Sequence, residues 1–212
     1  MTPDLFADQR PPCQTLGEGV VLLAGFADSR RLLALIQDIV AAAPFRHMRT
    51  PGGRRIAVAM SNCGELGWLS EPGGYRYSAT DPLNDRPWPA MPEAFRALAG
   101  AAATQAGFAD FQPDACLINR YAPGTRLGAH RDADERDFSQ PIVSVSLGLP
   151  ASFVLHGASR SGKGQAVNLE DGDVLVFGGP ARLIYHSVRP LKPGQHPLTG
   201  EYRYNLTCRR AG

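Results

Sequence analysis

His130 and Asp132 are the first residues in the sequence whose types and spacing could carry chemistry. Residues two positions apart project to the same side of an extended backbone, so an imidazole and a carboxylate would face one point. These groups supply two thirds of the facial triad that holds non-haem Fe(II) and leaves coordination positions open. A lone His-x-Asp pair is weak support for a metal site because it also arises by chance. The rest of the chain must supply a third ligand.

His186 is the candidate third ligand. It lies in an apolar segment, Arg182 to Val188, that is typical of a strand. With Asp132 and His130 it would complete a site of two imidazoles and one carboxylate. The alternative is that His130 and His186 are two unrelated structural histidines.

A strand-like segment near the end of the chain, Tyr202 to Arg209, carries two arginines. Strict alternation puts one set of side chains on one face and a second set on the other. The first set is Arg203, Asn205, Thr207 and Arg209, and the second is Tyr204, Leu206 and Cys208. Buried arginines need an anion, and a guanidinium fork matches a small dicarboxylate. The alternative is an exposed edge strand with solvated charges.

Asn119 and Tyr121 precede the His-x-Asp pair and are also two residues apart on a predicted strand. Their side chains would therefore share a face. We expect them to donate further hydrogen bonds to the same anion.

Basic and aromatic residues alternate between Phe45 and Tyr77. The basic group is His47, Arg49, Arg54, Arg55 and Arg76, and the aromatic group is Phe45, Trp68, Tyr75 and Tyr77. Basic side chains neutralise phosphates and aromatic faces stack on bases, so the mixture suits an extended flap over a nucleotide. The alternative is a twisted hairpin with a solvated basic face and aromatics packed beneath it.

Composition limits the class of protein. The chain has 212 residues, 43% of them hydrophobic, and a formal net charge of +2, which predicts one soluble globular domain. No apolar run is long enough to span a bilayer and no signal peptide is recognisable, so we expect a cytoplasmic protein without membrane contact. The four cysteines form no C-x-x-C pair, which predicts reduced thiols rather than a zinc site or a disulfide framework.

Two helices are predicted in the first half of the chain. One begins at Asp28 or Ser29 and ends before Pro44, and the other runs from Pro92 to Gly107. Residues 1–18 are proline-rich and predict an arm over the surface, and a strand is expected at Gly19 to Phe26.

The chain beyond Gly107 reads as short strands separated by turn residues, a spacing typical of a sandwich or jelly roll. The predicted strands are Ala115–Tyr121, Pro141–Leu149, Ser152–His156, Gln165–Leu169, Asp173–Phe177, Arg182–Val188 and Tyr202–Arg209. The acidic cluster Glu170 to Asp173 could suggest a second metal site, but Asp171-Gly172 predicts a tight turn between two strands.

Three blocks of sequence, taken in order, resemble the AlkB family of Fe(II)- and 2-oxoglutarate-dependent dioxygenases, which repair alkylated nucleic acids. The blocks are Asn119-x-Tyr121-x-Pro123-Gly124, His130-x-Asp132-x-Asp134 and Arg203-x-Asn205-x-Thr207-x-Arg209. The resemblance implies a mainly β fold, a double-stranded β-helix (jelly roll) with N-terminal helices and a nucleotide-recognition flap. It further implies one domain over residues 1–212, with the substrate flap at about 45–80 and the catalytic jelly roll at about 113–210.

The resemblance also assigns roles to residues. It implies that the catalytic Fe(II) ligands are His130, Asp132 and His186. It implies that 2-oxoglutarate is held by Asn119, Tyr121, Arg203, Asn205 and Arg209, with Arg203 on the distal carboxylate. Substrate contacts are expected from Trp68, Tyr75, Tyr77, Asp134 and Arg160. From the residues alone, Trp68 could instead be a half-buried flap aromatic and Asp134 a turn residue.

The implied reaction is oxidative dealkylation of bases such as 1-methyladenine and 3-methylcytosine in single- or double-stranded DNA, with RNA as a further candidate. Fe(II), 2-oxoglutarate and O2 would be required, and formaldehyde, succinate and CO2 released, by a monomeric enzyme. One alternative keeps the oxygenase but gives it a protein side chain or a small molecule as substrate. Another is a non-catalytic jelly roll that binds nucleic acid or metal.

Overall fold

The computed structural model describes residues 10–161 and 163–212. The fold is mainly β with two helices, α1 (Ser29–Ala42) and α2 (Glu93–Gln105). In chain order the strands are β1 (Cys13–Gly17), β2 (Val20–Leu23), β3 (Ala59–Gly64), β4 (Gly67–Glu71), β5 (Gly74–Ser78), β6 (Thr80–Asp81), β7 (Arg86–Pro87), β8 (Ala115–Tyr121), β9 (Leu127–His130), β10 (Ile142–Gly148), β11 (Ala151–Gly157), β12 (Gln165–Leu169), β13 (Val174–Phe177), β14 (Tyr185–Val188) and β15 (Arg203–Arg209).

Two antiparallel sheets form the body of the protein. The larger has seven strands in the order β1-β2-β13-β10-β15-β8-β3, and the smaller has four in the order β12-β11-β14-β9. Apolar side chains from both sheets, among them Leu117, Ile142 and Phe153, pack into one core between them. Apart from the pairs β1–β2 and β11–β12, strands that are neighbours in these two sheets are not consecutive in the chain, as in a jelly roll. The predicted double-stranded β-helix is confirmed.

Both helices pack on the outer face of the larger sheet. Asp28 caps α1 by accepting a hydrogen bond from the Arg31 main-chain N–H, as its sequence position predicts. Pro92 precedes the first residue of α2, and Gly107 follows its end with a φ of 90°. Apolar residues of both helices, such as Ile36 and Phe95, form a second core against this sheet. The sheet therefore has two buried faces.

The interior face of β15 is polar. Arg203 and Arg209 are 1% and 5% exposed, whereas Leu206 and Cys208 pack in the core under the helices. The predicted alternation is confirmed. The edge-strand alternative is wrong, because β15 lies between β10 and β8 in the centre of the larger sheet.

Some predicted elements differ from the structure. Residues 13–17 of the predicted arm form strand β1, which pairs with β2, while residues 1–9 lie outside the described part of the chain. The strand predicted from Arg182 begins only at Tyr185, because a short 3-10 helix at Gly179–Ala181 and a turn precede it. Strand β3, within the range predicted as flap, pairs with β8 in the larger sheet. The hairpin β4–β5 is a separate sheet.

Three further predictions concern the cysteines, the acidic cluster and membrane-spanning segments. All four cysteines are free thiols, and three of them are buried. The acidic cluster is a turn, with Gly172 at a φ of 82° and the Asp173 carboxylate accepting main-chain hydrogen bonds from Gly25 and Glu170. Among the described residues, no helix is both long enough and apolar enough to cross a membrane.

Truncation of a core side chain in β15 tests how much this inner strand contributes to stability. Leu206 is fully buried between the sheet and the helices. Leu206→Ala should lower the free energy of unfolding by about 2–5 kcal/mol, because it removes buried methyl groups and leaves a cavity. The measurement is urea denaturation of the purified protein. Leu83→Ala is the control: this side chain is 69% exposed, and its loss should change stability by no more than about 0.5 kcal/mol.

Candidate active site

A cavity of about 500 Å³ opens between the two sheets. Its inner wall is built from interior-facing side chains of β8, β15 and β13, and its mouth from the β4–β5 hairpin and neighbouring loops. The lining residues that matter here are Thr50, Arg54, Arg55, Ile56, Met60, Trp68, Tyr75, Leu117, Asn119, Tyr121, Arg126, His130, Arg131, Asp132, Asp134, Ser144, Phe153, Phe177, His186, Arg203, Asn205, Thr207 and Arg209. Most of the residues predicted for the site therefore share one space.

His130, Asp132 and His186 form a cluster at one wall of the cavity. The two histidines are direct partners across the β9–β14 pair, and Asp132 follows the end of β9. One ligand atom from each residue lies within 4.8 Å of the other two. The Nε2 atoms of His130 and His186 are 3.9 and 3.8 Å from the Asp132 carboxylate oxygens. Among the described residues this is the one such group of three or more potential ligands.

Main-chain carbonyls fix the tautomer of both imidazoles. Nδ1 of His130 lies 2.8 Å from the Gly128 carbonyl oxygen, and Nδ1 of His186 lies 3.2 Å from that of Ile184. A carbonyl oxygen can only accept, so each Nδ1 carries the proton and each Nε2 keeps its lone pair for a metal. The donor set of two neutral imidazoles and one carboxylate fits Fe(II).

The environment favours the protonation states that a metal requires. Burial, reinforced by the neighbouring His130, lowers the pKa of His186 to about 4, so this imidazole is neutral near pH 7. Burial alone would raise the pKa of Asp132, but the positive charge of the adjacent Arg209 holds it well below its usual range. A deprotonated Asp132 carboxylate beside the neutral His186 imidazole is ready to bind a cation.

Aromatic rings enclose His186. The Phe153 ring stacks on the imidazole at 5.4 Å between centroids with an interplanar angle of 15°, and the Phe177 ring is tilted at 5.3 Å. This packing restricts rotation of the imidazole and contributes to its burial.

Arg203 has the environment of an anion-binding residue. It is 1% exposed and donates one hydrogen bond, from Nη2 to the Ser146 hydroxyl at 3.0 Å. Its Nε and Nη1 have no hydrogen-bond partner, and no carboxylate of the described residues pairs with it. Burial lowers its pKa, although the Tyr121 hydroxyl counters this. A buried cation with two free donors is costly unless an anion binds to it, so a carboxylate fits here.

Asn119, Tyr121 and Asn205 lie around Arg203 on the cavity wall. Tyr121 is the cross-strand partner of Arg203, and Asn119 is the partner of Asn205. The Asn119 amide donates to Asn205 Oδ1 at 3.3 Å, and the Asn205 amide donates to the Ser144 hydroxyl at 2.9 Å. Strand register therefore brings together four of the five residues predicted to hold 2-oxoglutarate.

Arg209, the fifth predicted residue, contacts the metal cluster itself. Its Nη2 is 2.9 Å from Asp132 Oδ2, its Nε is 3.4 Å from Glu135 Oε1, and its Nη1 donates to the Tyr77 hydroxyl at 3.0 Å. These negative and polar partners raise its pKa despite burial. Arg209 also lines the cavity, so its contact with 2-oxoglutarate stays a prediction.

Trp68, Tyr75 and Asp134 lie together at the mouth. The rings of Trp68 and Tyr75 stack at 5.5 Å with an interplanar angle of 18°. The Trp68 indole N–H donates to Asp134 Oδ2 at 2.8 Å. Both aromatics line the cavity and neither is buried. The mouth therefore has a flat aromatic surface beside an exposed carboxylate.

Two predicted substrate contacts do not line the cavity. Tyr77 lies opposite Trp68 in the β4–β5 pair and shares a face of β5 with Tyr75, but its hydroxyl donates to Glu135 Oε1 at 2.7 Å and accepts from Arg209 Nη1 at 3.0 Å. The Arg160 guanidinium lies over the Tyr185 ring at 5.5 Å, outside the cavity wall. Two further histidines that do not line the cavity also have partners: His47 Nδ1 contacts the Ile56 carbonyl and His156 Nε2 contacts the Ser187 hydroxyl.

Sequence reasoning missed four polar residues that support the site. Ser144 and Ser146 are buried and hold Asn205 and Arg203; serines two residues apart in the apolar strand β10 were a detectable signal. Glu135 and Arg182 form a buried ion pair at 3.0 Å beneath Asp132. No local pattern pairs these two, because they are distant in sequence.

Comparisons with known proteins agree with this geometry. Residues 19–209 match the sequence profile of the 2OG-Fe(II) oxygenase superfamily. The chain is 54% identical over 211 residues to the alpha-ketoglutarate-dependent dioxygenase AlkB of Escherichia coli, covering 99% of this chain and 98% of that protein. It is 40% identical to the AlkB homolog of Caulobacter vibrioides over 93% of this chain and 90% of the homolog. The solved structure of OsALKBH1 superimposes with a TM-score of 0.82 at 30% identity, covering 94% and 100% of the two chains.

Replacement of Arg203 tests the anion site. Arg203→Lys keeps the positive charge but loses the planar fork, so it should weaken binding of 2-oxoglutarate by about 1.5–3 kcal/mol, roughly 10- to 100-fold. Calorimetric titration in the presence of Mn²⁺ and without O2 measures this affinity without turnover.

Arg120→Lys is the matched control for Arg203→Lys. Arg120 lies on the neighbouring strand β8, but its guanidinium covers the rings of Phe45 and Tyr202 and it does not line the cavity. Its replacement should leave the affinity for 2-oxoglutarate unchanged. Equal affinities in Arg203→Lys and the unmodified protein would contradict the assignment of the anion site.

Proposed function

This chain belongs to the 2OG-Fe(II) oxygenase superfamily and, within it, to the AlkB family, and we propose that it repairs N-alkylated bases of DNA by oxidative dealkylation. It is a 2-oxoglutarate-dependent dioxygenase that uses Fe(II), 2-oxoglutarate and O2. Bases such as 1-methyladenine and 3-methylcytosine are its proposed substrates, in single- or double-stranded DNA, with RNA as a second nucleic acid. The single observation that carries the proposal is that one cavity joins a His-Asp-His cluster, a buried arginine with free donors and an aromatic mouth.

The proposed metal ligands are His130, Asp132 and His186. When bound, Fe(II) and 2-oxoglutarate supply the chemistry that inserts one oxygen atom of O2 into a C–H bond of the alkyl group, with succinate and CO2 as co-products. Three protein ligands leave three coordination positions, enough for a bidentate 2-oxo acid and O2. The hydroxymethyl group on the base nitrogen then leaves as formaldehyde, and the nitrogen recovers its unmodified form.

Arg203 orients the co-substrate in this proposal. Its free Nε and Nη1 donors would pair with the carboxylate of 2-oxoglutarate distant from the metal. Tyr121 and Asn119, on the adjacent strand, supply polar groups along the path from this carboxylate to the metal cluster. Because the arginine is already held by the Ser146 hydroxyl, little side-chain freedom is lost on binding.

Trp68, Tyr75 and Asp134 are proposed to receive the alkylated base. A methyl group on N1 of adenine or N3 of cytosine gives the base a positive charge. A nearby carboxylate therefore favours the alkylated base over the neutral, unmodified one. The aromatic surface would stack on the extruded base and offset part of the cost of base flipping, a few kcal/mol in duplex DNA. The base can approach Asp134 without breaking the hydrogen bond between Asp134 and Trp68. That bond uses only Oδ2 of Asp134, so Oδ1 is left to face the base.

Four arginines at the cavity suit a polyanionic substrate. Arg54, Arg55, Arg126 and Arg131 line it, and within the described part of the chain none is in an ion pair with a carboxylate. Uncompensated guanidinium groups around an opening neutralise phosphates of a bound strand. This charge favours nucleic acid over a neutral small molecule as substrate.

A direct assay tests the reaction. The reconstituted protein with Fe(II), 2-oxoglutarate and air should remove the methyl group from a single-stranded oligonucleotide carrying one 1-methyladenine, as scored by mass. His186→Ala should abolish this because a metal ligand is lost, whereas His196→Ala, a histidine outside the cavity, should retain activity. Succinate formation without loss of the methyl group would move the substrate to another class of molecule.

Trp68→Ala separates capture of the base from binding of the co-substrate. Loss of stacking should weaken binding of the methylated oligonucleotide by about 1–3 kcal/mol and leave the affinity for 2-oxoglutarate unchanged. Trp68→Phe loses the N–H bond to Asp134 and part of the ring area but keeps an aromatic face, so it should recover much of the binding. Competition binding with methylated and unmethylated strands measures how strongly each of the two variants prefers the methylated base. Unaltered discrimination in Trp68→Ala would contradict the proposed role.

The subdivision of the single domain into a flap at about 45–80 and a jelly roll at about 113–210 stays a proposal. The assignment of Tyr77 and Arg160 to substrate binding, a cytoplasmic location and a monomeric state likewise stay predictions.

A further inference from the structure

Arg182 is a buried arginine that touches the candidate metal site from behind. It is 3% exposed and follows the short 3-10 helix that leads into β14, the strand of His186. It does not line the cavity, so it cannot meet a substrate or a co-substrate directly. Any effect on the reaction must pass through the residues it contacts.

All three nitrogens of the Arg182 guanidinium bind one segment of chain. Nη1 donates to the main-chain carbonyl of Asp132 at 2.9 Å, Nη2 to Glu135 Oε2 at 3.0 Å, and Nε to the main-chain carbonyl of Gln140 at 2.9 Å. Its guanidinium carbon also lies 5.4 Å from the centre of the Phe138 ring. One side chain thus holds both ends and the middle of the segment from Asp132 to Gln140.

This segment needs such support because it belongs to no strand. β9 ends at His130 and β10 begins at Ile142, so the ladder that fixes His130 and His186 does not reach Asp132. A metal ligand outside a sheet depends on side-chain contacts for its position. The contact between Arg182 and the Asp132 carbonyl supplies one.

A second path connects Arg182 to the carboxylate of Asp132. Glu135, 5% exposed, pairs with Arg182 through Oε2 and lies 3.4 Å from Arg209 Nε through Oε1. Arg209 in turn contacts Asp132 Oδ2 at 2.9 Å. The main chain of Asp132 is therefore held directly, and its side chain through Glu135 and Arg209.

We propose that Arg182 is a positioning residue that, together with Glu135, sets the Asp132 carboxylate for metal binding. The inference rests on the metal site proposed above and adds to it a buried support on the side opposite the cavity. Lysine cannot replace arginine here, because one ammonium group cannot meet three acceptors that are spread along the segment. Arg182→Lys would keep the positive charge but lose the three hydrogen bonds that the guanidinium makes to the segment.

Metal affinity measured without turnover tests this role. Calorimetric titration with Mn²⁺ in the absence of O2 and 2-oxoglutarate should give a dissociation constant raised by about tenfold or more in Arg182→Lys, as for other residues that orient metal ligands. Arg46→Lys is the control: Arg46 forms a fork with Asp81 and lies over Trp88, away from the cavity. Arg46→Lys should lose stability, because an ammonium group cannot reproduce the two-pronged contact with Asp81, and should keep its affinity for Mn²⁺.

Two outcomes would overturn the inference. One is a folded Arg182→Lys protein that binds Mn²⁺ as tightly as the unmodified chain. The other is an equal loss of affinity in Arg46→Lys, which would mean that general destabilisation weakens the site. If Arg182→Lys does not fold, Glu135→Gln decides: it keeps the shape of the side chain and removes the charge between the two arginines. It should raise the dissociation constant several-fold, about threefold or more, and an unchanged constant rejects the role.

The same titration keeps this inference separate from the proposed function. If the unmodified protein binds no Mn²⁺, or if His186→Ala binds it equally well, the metal site itself is wrong. If the unmodified protein binds Mn²⁺, His186→Ala does not, and Arg182→Lys matches the unmodified protein, only the role of Arg182 is wrong.

Discussion

The burial of guanidinium groups in the interior of the jelly roll is the constraint on which the rest of the site depends. Arg203 lies on β15, an inner strand of the larger sheet, with two donors free and no carboxylate paired with it among the described residues. A cation in such surroundings is expensive, and its free energy falls when an anion enters the cavity. Two contacts hold the Arg203 guanidinium in place before any anion binds: its hydrogen bond to the Ser146 hydroxyl, and the Tyr121 ring 4.9 Å from its guanidinium carbon.

The second buried arginine of the strand is balanced inside the protein. Arg209 lies among Asp132, Glu135 and the Tyr77 hydroxyl, and Arg182 pairs with Glu135 from the other side. Two arginines and two carboxylates thus form a neutral network next to the metal cluster. Adding a divalent cation next to this network is favourable because Asp132 is already deprotonated and both histidines keep Nε2 free. The co-substrate dianion would then offset most of the combined positive charge of the metal and Arg203.

Much of this arrangement was readable from the sequence because it follows strand periodicity. Alternation in β15 puts Arg203, Asn205 and Arg209 on one face. The His-x-Asp spacing also indicated two neighbouring ligands, although Asp132 lies beyond the end of β9 and outside any strand. The same rule, applied to β10, would have indicated Ser144 and Ser146. Arg182 and Tyr77 were beyond it. Arg182 reaches the Asp132 segment from the turn that precedes β14, where a strand was predicted, and the Tyr77 hydroxyl binds Glu135 and Arg209 although Tyr77 shares a face of β5 with Tyr75. Contacts between segments distant in sequence require the folded chain.

The central claim is that one cavity binds Fe(II) through the His-Asp-His cluster and 2-oxoglutarate through Arg203. Anaerobic titration of the purified protein with Fe(II) and 2-oxoglutarate tests it most directly, because a 2-oxo acid chelated to Fe(II) absorbs visible light. Our account predicts an absorption band that appears only when both are present, saturates at one equivalent of each, and is absent in Asp132→Ala. No band with the unmodified protein, or an undiminished band in the variant, would contradict the account.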